Sequence, residues 1–163
     1  MTKRLILMRH AKSAWDDPRL PDVERVLNSR GQQSANAMGA WLKAQKYVPD
    51  QIICSSAART METSDRLMFD ARIEPVDALY LAPEGLMEQV LMSAFGDCVL
   101  MIGHNPGIAE FAASLVRSPP EHTRFYDYPT CATLVVDFDI EDWAEIIDGT
   151  GDVVDFMTPG EIL

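Results

Sequence analysis

The sequence predicts an α/β fold, a three-layer α/β/α sandwich built on a mostly parallel central sheet. Three observations predict it. Short apolar runs recur along the chain, segments of helical spacing separate them, and no repeat, low-complexity tract or long linker interrupts the 163 residues. A chain of that length suits one domain with one substantial core, here residues 1–163.

The elements follow in order. Residues 4–8 (RLILM) form the first strand, and 14–28, rich in Asp and Pro, a loop. A helix starts at Ser29, where Ser29 and Gln32 have capping-box spacing and Ala35, Met38 and Leu42 share one face. Residues 51–54 (QIIC) are the second strand, 59–69 the second helix, and 73–81 contain a third, less regular strand. Residues 83–95 form a helix with Pro83 in its first turn and Leu86, Val90 and Ala94 recurring every fourth position. Residues 99–102 (VLMI) are the clearest buried strand; Gly103-His104-Asn105-Pro106-Gly107 breaks it, and a helix runs through 111–116. After a loop over 117–129, strands at 134–138 and 153–157 complete the sheet.

Composition narrows the function. No run approaches the about 18 apolar residues of a membrane helix, and the amino end lacks the apolar core of a signal peptide. A cytoplasmic protein with no membrane partner is expected. The net charge of −11 repels phosphate-coated polymers, so nucleic acid is not an expected partner. Cys54, Cys98 and Cys131 read as reduced, buried thiols, and the three histidines are too dispersed for a zinc signature. Met38, Met87 and Met101 read as core, and Trp41 and Trp143 as structural.

Ligands of parallel sheets gather outside the carboxyl ends of the strands. RLILM is followed there by Arg9-His10-Ala11-Lys12-Ser13, QIIC by Ser55-Ser56-Ala57-Ala58-Arg59-Thr60, and VLMI by Gly103-His104-Asn105. Two arginines and two histidines thus converge at three strand exits. Guanidinium forks match phosphoryl oxygens, a neutral imidazole can attack phosphorus, and a second can donate to an oxygen as charge builds. The expected reaction is in-line attack by His10, a phosphohistidine intermediate and hydrolysis by water. No metal or other cofactor is called for, since arginines supply the positive charge.

Leu7-Met8-Arg9-His10-Ala11-Lys12-Ser13, Ser55-Ser56-x-x-Arg59-Thr60 with Glu62-Thr63, and Gly103-His104-Asn105-Pro106 together resemble the histidine phosphatase superfamily, the phosphoglycerate mutase-like fold. The likeness spans residues 4–157 and is greatest to the short SixA-type phosphohistidine phosphatases. It implies one histidine phosphatase domain with His10 as the phosphorylated nucleophile and Arg9, Arg59 and His104 completing the phosphate pocket. Two departures stand out: Ala11 replaces the usual glycine, and Asn105 replaces the acid-donating aspartate of the acid phosphatase branch. Glu84 is the candidate proton donor, since the mutase branch places its acid after the third strand; Glu84 can equally be a helix N-terminal carboxylate. The short chain lacks the mutases' lid insertions, which suggests an open site for a bulky substrate. The expected partner is a phosphorylated protein carrying phosphohistidine, or a small phosphorylated substrate; oligomeric state stays open.

Other readings compete. Lys12 reads as a surface lysine, Trp15 as a rim residue, His122 as solvent-exposed, and Arg124 as a possible flank of the substrate. A cysteine phosphatase needs Cys-x5-Arg, whereas Cys54 and Arg59 are one residue too close. Asp137-Phe138-Asp139 mimics the nucleophile strand of haloacid dehalogenase-like enzymes but comes only 24 residues before the end. A mutase would need a second basic cluster for its substrate. A phosphatase of small phosphomonoesters and an idle phosphoprotein-binding module remain as alternatives.

Overall fold

The structure, a computed structural model, describes residues 2–163. Six strands form one sheet: β1 (Thr2–Arg9), β2 (Gln51–Ser55), β3 (Arg72–Val76), β4 (Cys98–Gly103), β5 (Thr133–Asp139) and β6 (Asp152–Met157), in the order β3-β2-β4-β1-β5-β6. The pairs β3–β2, β2–β4 and β4–β1 are parallel, while β5 runs against both β1 and β6. One strand direction is therefore reversed in an otherwise parallel sheet.

Alternation along β1 divides the core. Ile6 and Met8 face one side with Ile52, Leu100 and Ile102, covered by α1 (Ser29–Ala44) and α2 (Ala58–Leu67). Leu5 and Leu7 face the other with Val99, Met101, Leu134 and Val136, covered by α3 (Glu84–Met92) and α4 (Gly107–Leu115). Both faces of the central strands are thus apolar, which is why they read as unbroken hydrophobic runs. Met38, Met87, Met101 and Trp143 are buried as expected, and the Trp143 indole donates to the Gly96 carbonyl at 2.7 Å.

Local chemistry moves several boundaries. The third strand, expected within 73–81, occupies Arg72–Val76, and a 3-10 turn over Asp77–Leu79 follows it. Pro75 is tolerated because β3 is an edge strand. The Ser29–Gln32 capping box does not form. Asn28 is the cap, its side chain accepting from the Gly31 amide at 2.8 Å, while Gln32 donates to Glu62 at 3.1 Å. A cap must sit just outside the first helical residue, which places it one position earlier than expected.

Two glycines bring loops against helix starts. A Cβ on Gly31 would lie 2.1 Å from the Lys12 carbonyl oxygen, and one on Gly107 would lie 1.9 Å from that of Ala82. These contacts seat the segment after β1 on α1, and the segment after β3 on α4, around the carboxyl ends of the strands.

Candidate active site

Because β2, β4 and β1 are adjacent and parallel, their carboxyl ends lie side by side. The register pairs Arg9 with Gly103 and Cys54 with Ile102, so Ser55, His10 and His104 emerge at one level. They open into a cavity of about 300 Å³ lined by Arg9, His10, Lys12, Arg59, His104 and Asn105, with Trp15 and Leu81 on its rim. The four side chains expected to hold phosphate therefore surround a single hollow.

His10 is nearly fully buried, and its backbone amide donates to the Gly103 carbonyl at 3.1 Å. Its Nδ1 lies 2.7 Å from the Ala11 carbonyl oxygen, an acceptor only. The ring proton therefore sits on Nδ1, and Nε2 keeps its lone pair. Arg59 Nε donates to that Nε2 at 3.3 Å. Burial pushes the His10 imidazole down to about 4; the Ala11 bond pulls upward, and the Arg59 and Arg9 charges add to the lowering. His10 is thus neutral at physiological pH, the state a nucleophile requires.

The loop carrying His10 is anchored from α2. The Ala11 amide donates to the Thr63 hydroxyl at 3.0 Å, and that hydroxyl donates to the Arg59 carbonyl at 2.7 Å. Glu62 accepts from the Leu27 amide at 2.8 Å and ties down the end of the β1–α1 loop. Glu62 and Thr63 are therefore structural supports of the hollow.

His104 is also buried; its Nε2 lies 2.8 Å from the Ser55 hydroxyl, and its Nδ1 has no protein partner among the described residues. Burial, then the neighbouring His10 and Arg59, push it down to about 3. Arg9 donates from one terminal nitrogen to the Tyr128 carbonyl at 3.1 Å, while its Nε is buried without a partner among the described residues. Asn105 donates to the Asp127 and Tyr128 carbonyls, at 2.9 and 3.2 Å, and fixes the same loop. Two orphaned nitrogens, one on the Arg9 guanidinium and one on His104, with the Arg59 guanidinium beside them, suit a tetrahedral oxyanion, whose oxygens would satisfy them.

Other expectations fare unevenly. Glu84 does not reach this hollow: it lines a separate cavity with Glu88, Ser114 and Asp148, because the N-terminus of α3 starts beyond the turn that carries Leu81 to the rim. Lys12 is exposed yet lines the cavity, and Trp15 stands two-thirds exposed with Arg25 stacked 4.0 Å from its ring centroid. Arg124 is exposed and paired with Asp127. His122 is half-buried rather than exposed, because Glu161 accepts from it at 2.6 Å.

Sequence reasoning missed Asp22, which holds Arg59, and Tyr80, which holds Asp22. Asp22 sits in an irregular loop, and nothing in its spacing marks it.

The rival chemistries find no support in the geometry. Cys54 is buried and pushed up to about 12 by that burial, far from a reactive thiolate. Asp137 pairs with Arg4 at 2.7 Å, toward the opposite end of the sheet from His10. Among the described residues no three His, Cys, Asp or Glu side chains are grouped to hold a metal ion, and no helix is long and apolar enough to cross a membrane.

Comparison with known proteins bears on the family and the fold. The sequence model of the histidine phosphatase superfamily (branch 1) matches residues 5–82. An uncharacterised protein of Mycobacterium tuberculosis is 30% identical over 161 residues, covering 93% of this chain and 99% of that one. A Nakamurella multipartitia protein assigned as the phosphohistidine phosphatase SixA superposes with a TM-score of 0.84 at 24% identity, over 98% of this chain and 97% of that one. The protein histidine phosphatase SixA complexed with tungstate superposes with a TM-score of 0.75 at 24% identity, over 98% and 99%. With its phosphoglycerate mutase-like fold, the chain belongs to the histidine phosphatase superfamily and is a phosphatase.

Proposed function

We propose that this protein removes phosphoryl groups from protein histidine by way of a phosphohistidine on His10. The observation that carries the choice of substrate is the lining of the cavity. Among the described residues it holds two arginines, a lysine, two histidines and neutral side chains, but no carboxylic acid. An alkoxide leaving group is strongly basic and needs a positioned proton donor. The imidazole of phosphohistidine carries its own: once the ring's second nitrogen is protonated, it departs as neutral imidazole.

In the first step the His10 Nε2 lone pair forms a bond to phosphorus as the bond to the substrate's ring nitrogen breaks. The electron pair of that bond goes to the departing ring. Arg9 and Arg59 neutralise the equatorial oxygens, and Arg9 Nε gains the partner it lacks. For His104 to donate to a phosphoryl oxygen its ring proton must sit on Nδ1, the nitrogen left without a partner among the described residues, and the Ser55 hydroxyl then donates to Nε2. In the second step water attacks phosphorus, the P–Nε2 bond breaks, and inorganic phosphate leaves with the water's proton. Asp22 does not serve as the acid, since the Tyr80 hydroxyl and Arg59 hold its carboxyl below the usual range.

An open, partly apolar rim formed by Trp15 and Leu81 fits a substrate side chain presented on a protein surface. The free thiols at Cys54, Cys98 and Cys131 fit a reducing compartment such as the cytoplasm.

The test is turnover of a phosphohistidine peptide, a phosphoserine peptide and phosphoglycerate, each with and without chelator. A kcat/KM for phosphohistidine at least about tenfold above the others is expected. Faster hydrolysis of an alkyl phosphate would overturn the assignment of substrate. Acid-labile phosphate on the quenched protein, lost in His10→Ala, tests the intermediate.

A further inference from the structure

A guanidinium has two edges that can each grip a pair of acceptors: the end edge, made by the terminal nitrogens, and the side edge, made by Nε and Nη2. Arg59 uses them for different things. Its Nη1 donates to the Asp22 backbone carbonyl at 2.8 Å and its Nη2 to the Asp22 carboxylate at 3.0 Å, so Asp22 holds the end edge. The side edge turns inward, with Nε 3.3 Å from His10 Nε2.

Asp22 is itself pinned. The Tyr80 hydroxyl donates to the same carboxylate oxygen that Arg59 binds, and the Tyr80 ring stands edge-on to His104 with centroids 5.3 Å apart. The Arg59 guanidinium carbon lies 5.8 Å from the centroid of that ring. Arg59 is buried, but the Asp22 side chain is 40% exposed, on a 3-10 turn (Asp22–Glu24) that contributes no buried residue. The contact therefore adds little to the core, yet it decides which edge of Arg59 faces the nucleophile.

We infer that Asp22 is a positioning residue for phosphoryl transfer: by gripping the end edge of Arg59, with Tyr80 as its anchor, it presents the side edge to the phosphoryl group on His10. This rests on His10 being the nucleophile. A latch that competes with substrate is the opposite reading, and the two differ in sign. A latch would have to vacate the side edge to admit phosphate; Asp22 leaves that edge open. Its negative charge weakens the field felt by an anion, so removing it favours binding while loosening alignment.

The experiment compares kcat and KM for a phosphohistidine peptide in wild type, Asp22→Ala, Tyr80→Phe, the double variant and His10→Ala, with a thermal melt of each. In Asp22→Ala, kcat falls about tenfold or more while KM stays level or drops, since misalignment slows transfer without removing the charges that bind. Tyr80→Phe loses less, and the double variant is no slower than Asp22→Ala, because Tyr80 acts through Asp22. A kcat within twofold of wild type, a faster enzyme, multiplicative losses, or a joint worsening of kcat, KM and melting temperature would each overturn the inference. His10→Ala separates the two levels. If it keeps its turnover, the reading of the reaction falls and takes this inference with it. If it is inactive while Asp22→Ala matches wild type, the inference alone falls.

Discussion

The Ala11 amide donates to the Thr63 hydroxyl across 3.0 Å, joining the loop that carries His10 to the helix that carries Arg59. The hydroxyl also donates to the Arg59 carbonyl, so its hydrogen-bonding capacity is committed to the two halves of the site. Ala11 in turn supplies the carbonyl that sets the His10 tautomer. Thr63→Val keeps the shape of the side chain and leaves a buried amide unpaired. We expect a loss of about 1–3 kcal/mol in denaturant unfolding, together with a lower kcat. Unchanged stability and unchanged kcat would show that Ala11 is held by something else.

Glu84 makes a contrasting case. It lies with Glu88 and Asp148 in another cavity, where Asp148 raises Glu88 to about 7. Glu84→Gln should leave kcat on both phosphohistidine and aryl phosphate within about twofold of wild type. Removing one like charge should leave the melting temperature unchanged or slightly higher. A loss confined to substrates with poor leaving groups would restore Glu84 as the proton donor.

Stability should depend on pH through the two buried imidazoles. His10 and His104 are lowered from 6.5 to about 4 and about 3, so below 6.5 the unfolded chain binds protons that the folded one refuses. Unfolding free energy therefore falls as pH drops from about 6.5 toward about 4, and every tenfold difference in proton affinity between the two states costs about 1.4 kcal/mol. Melting temperatures between pH 7 and 4.5 test this, and a His10→Asn/His104→Gln variant should show a shallower decline. Equal slopes would remove these residues as the cause.

His104→Ala deletes a donor while leaving the other three pocket residues in place. A fall in kcat of about 10²–10³, with the fold retained by circular dichroism, is expected from the loss of one preorganised hydrogen bond to a charged oxygen. Rapid-quench measurement of phosphoenzyme formation should locate the loss in the first step. Wild-type rates would exclude His104 from the transfer.

The four pocket residues were legible because parallel strands impose a rule: whatever follows each apolar run emerges at the same edge. Arg9, His10, Arg59 and His104 each follow such a run within a few positions. The buried face of α1 at Ala35, Met38 and Leu42 and the burial of Met87 and Met101 were legible through their apolar pattern, a local property. The cap of α1 was misplaced by one position, since either choice satisfies local spacing and packing decides between them.

Glu84 and Asp22 mark where such reasoning stops. Glu84 has the sequence position of a catalytic acid, but the turn after β3 leads it into a different cavity. Asp22 has no distinguishing position at all; it matters because a loop folds back to meet a helix 37 residues further on. The chain alone determines the alternation of elements, and with it the side of the sheet where the chemistry gathers, because both follow from repeating local patterns. Which carboxylate lies nearest His10, and which edge of an arginine it holds, are decided only by tertiary structure, since they depend on the paths of irregular loops that no periodicity records.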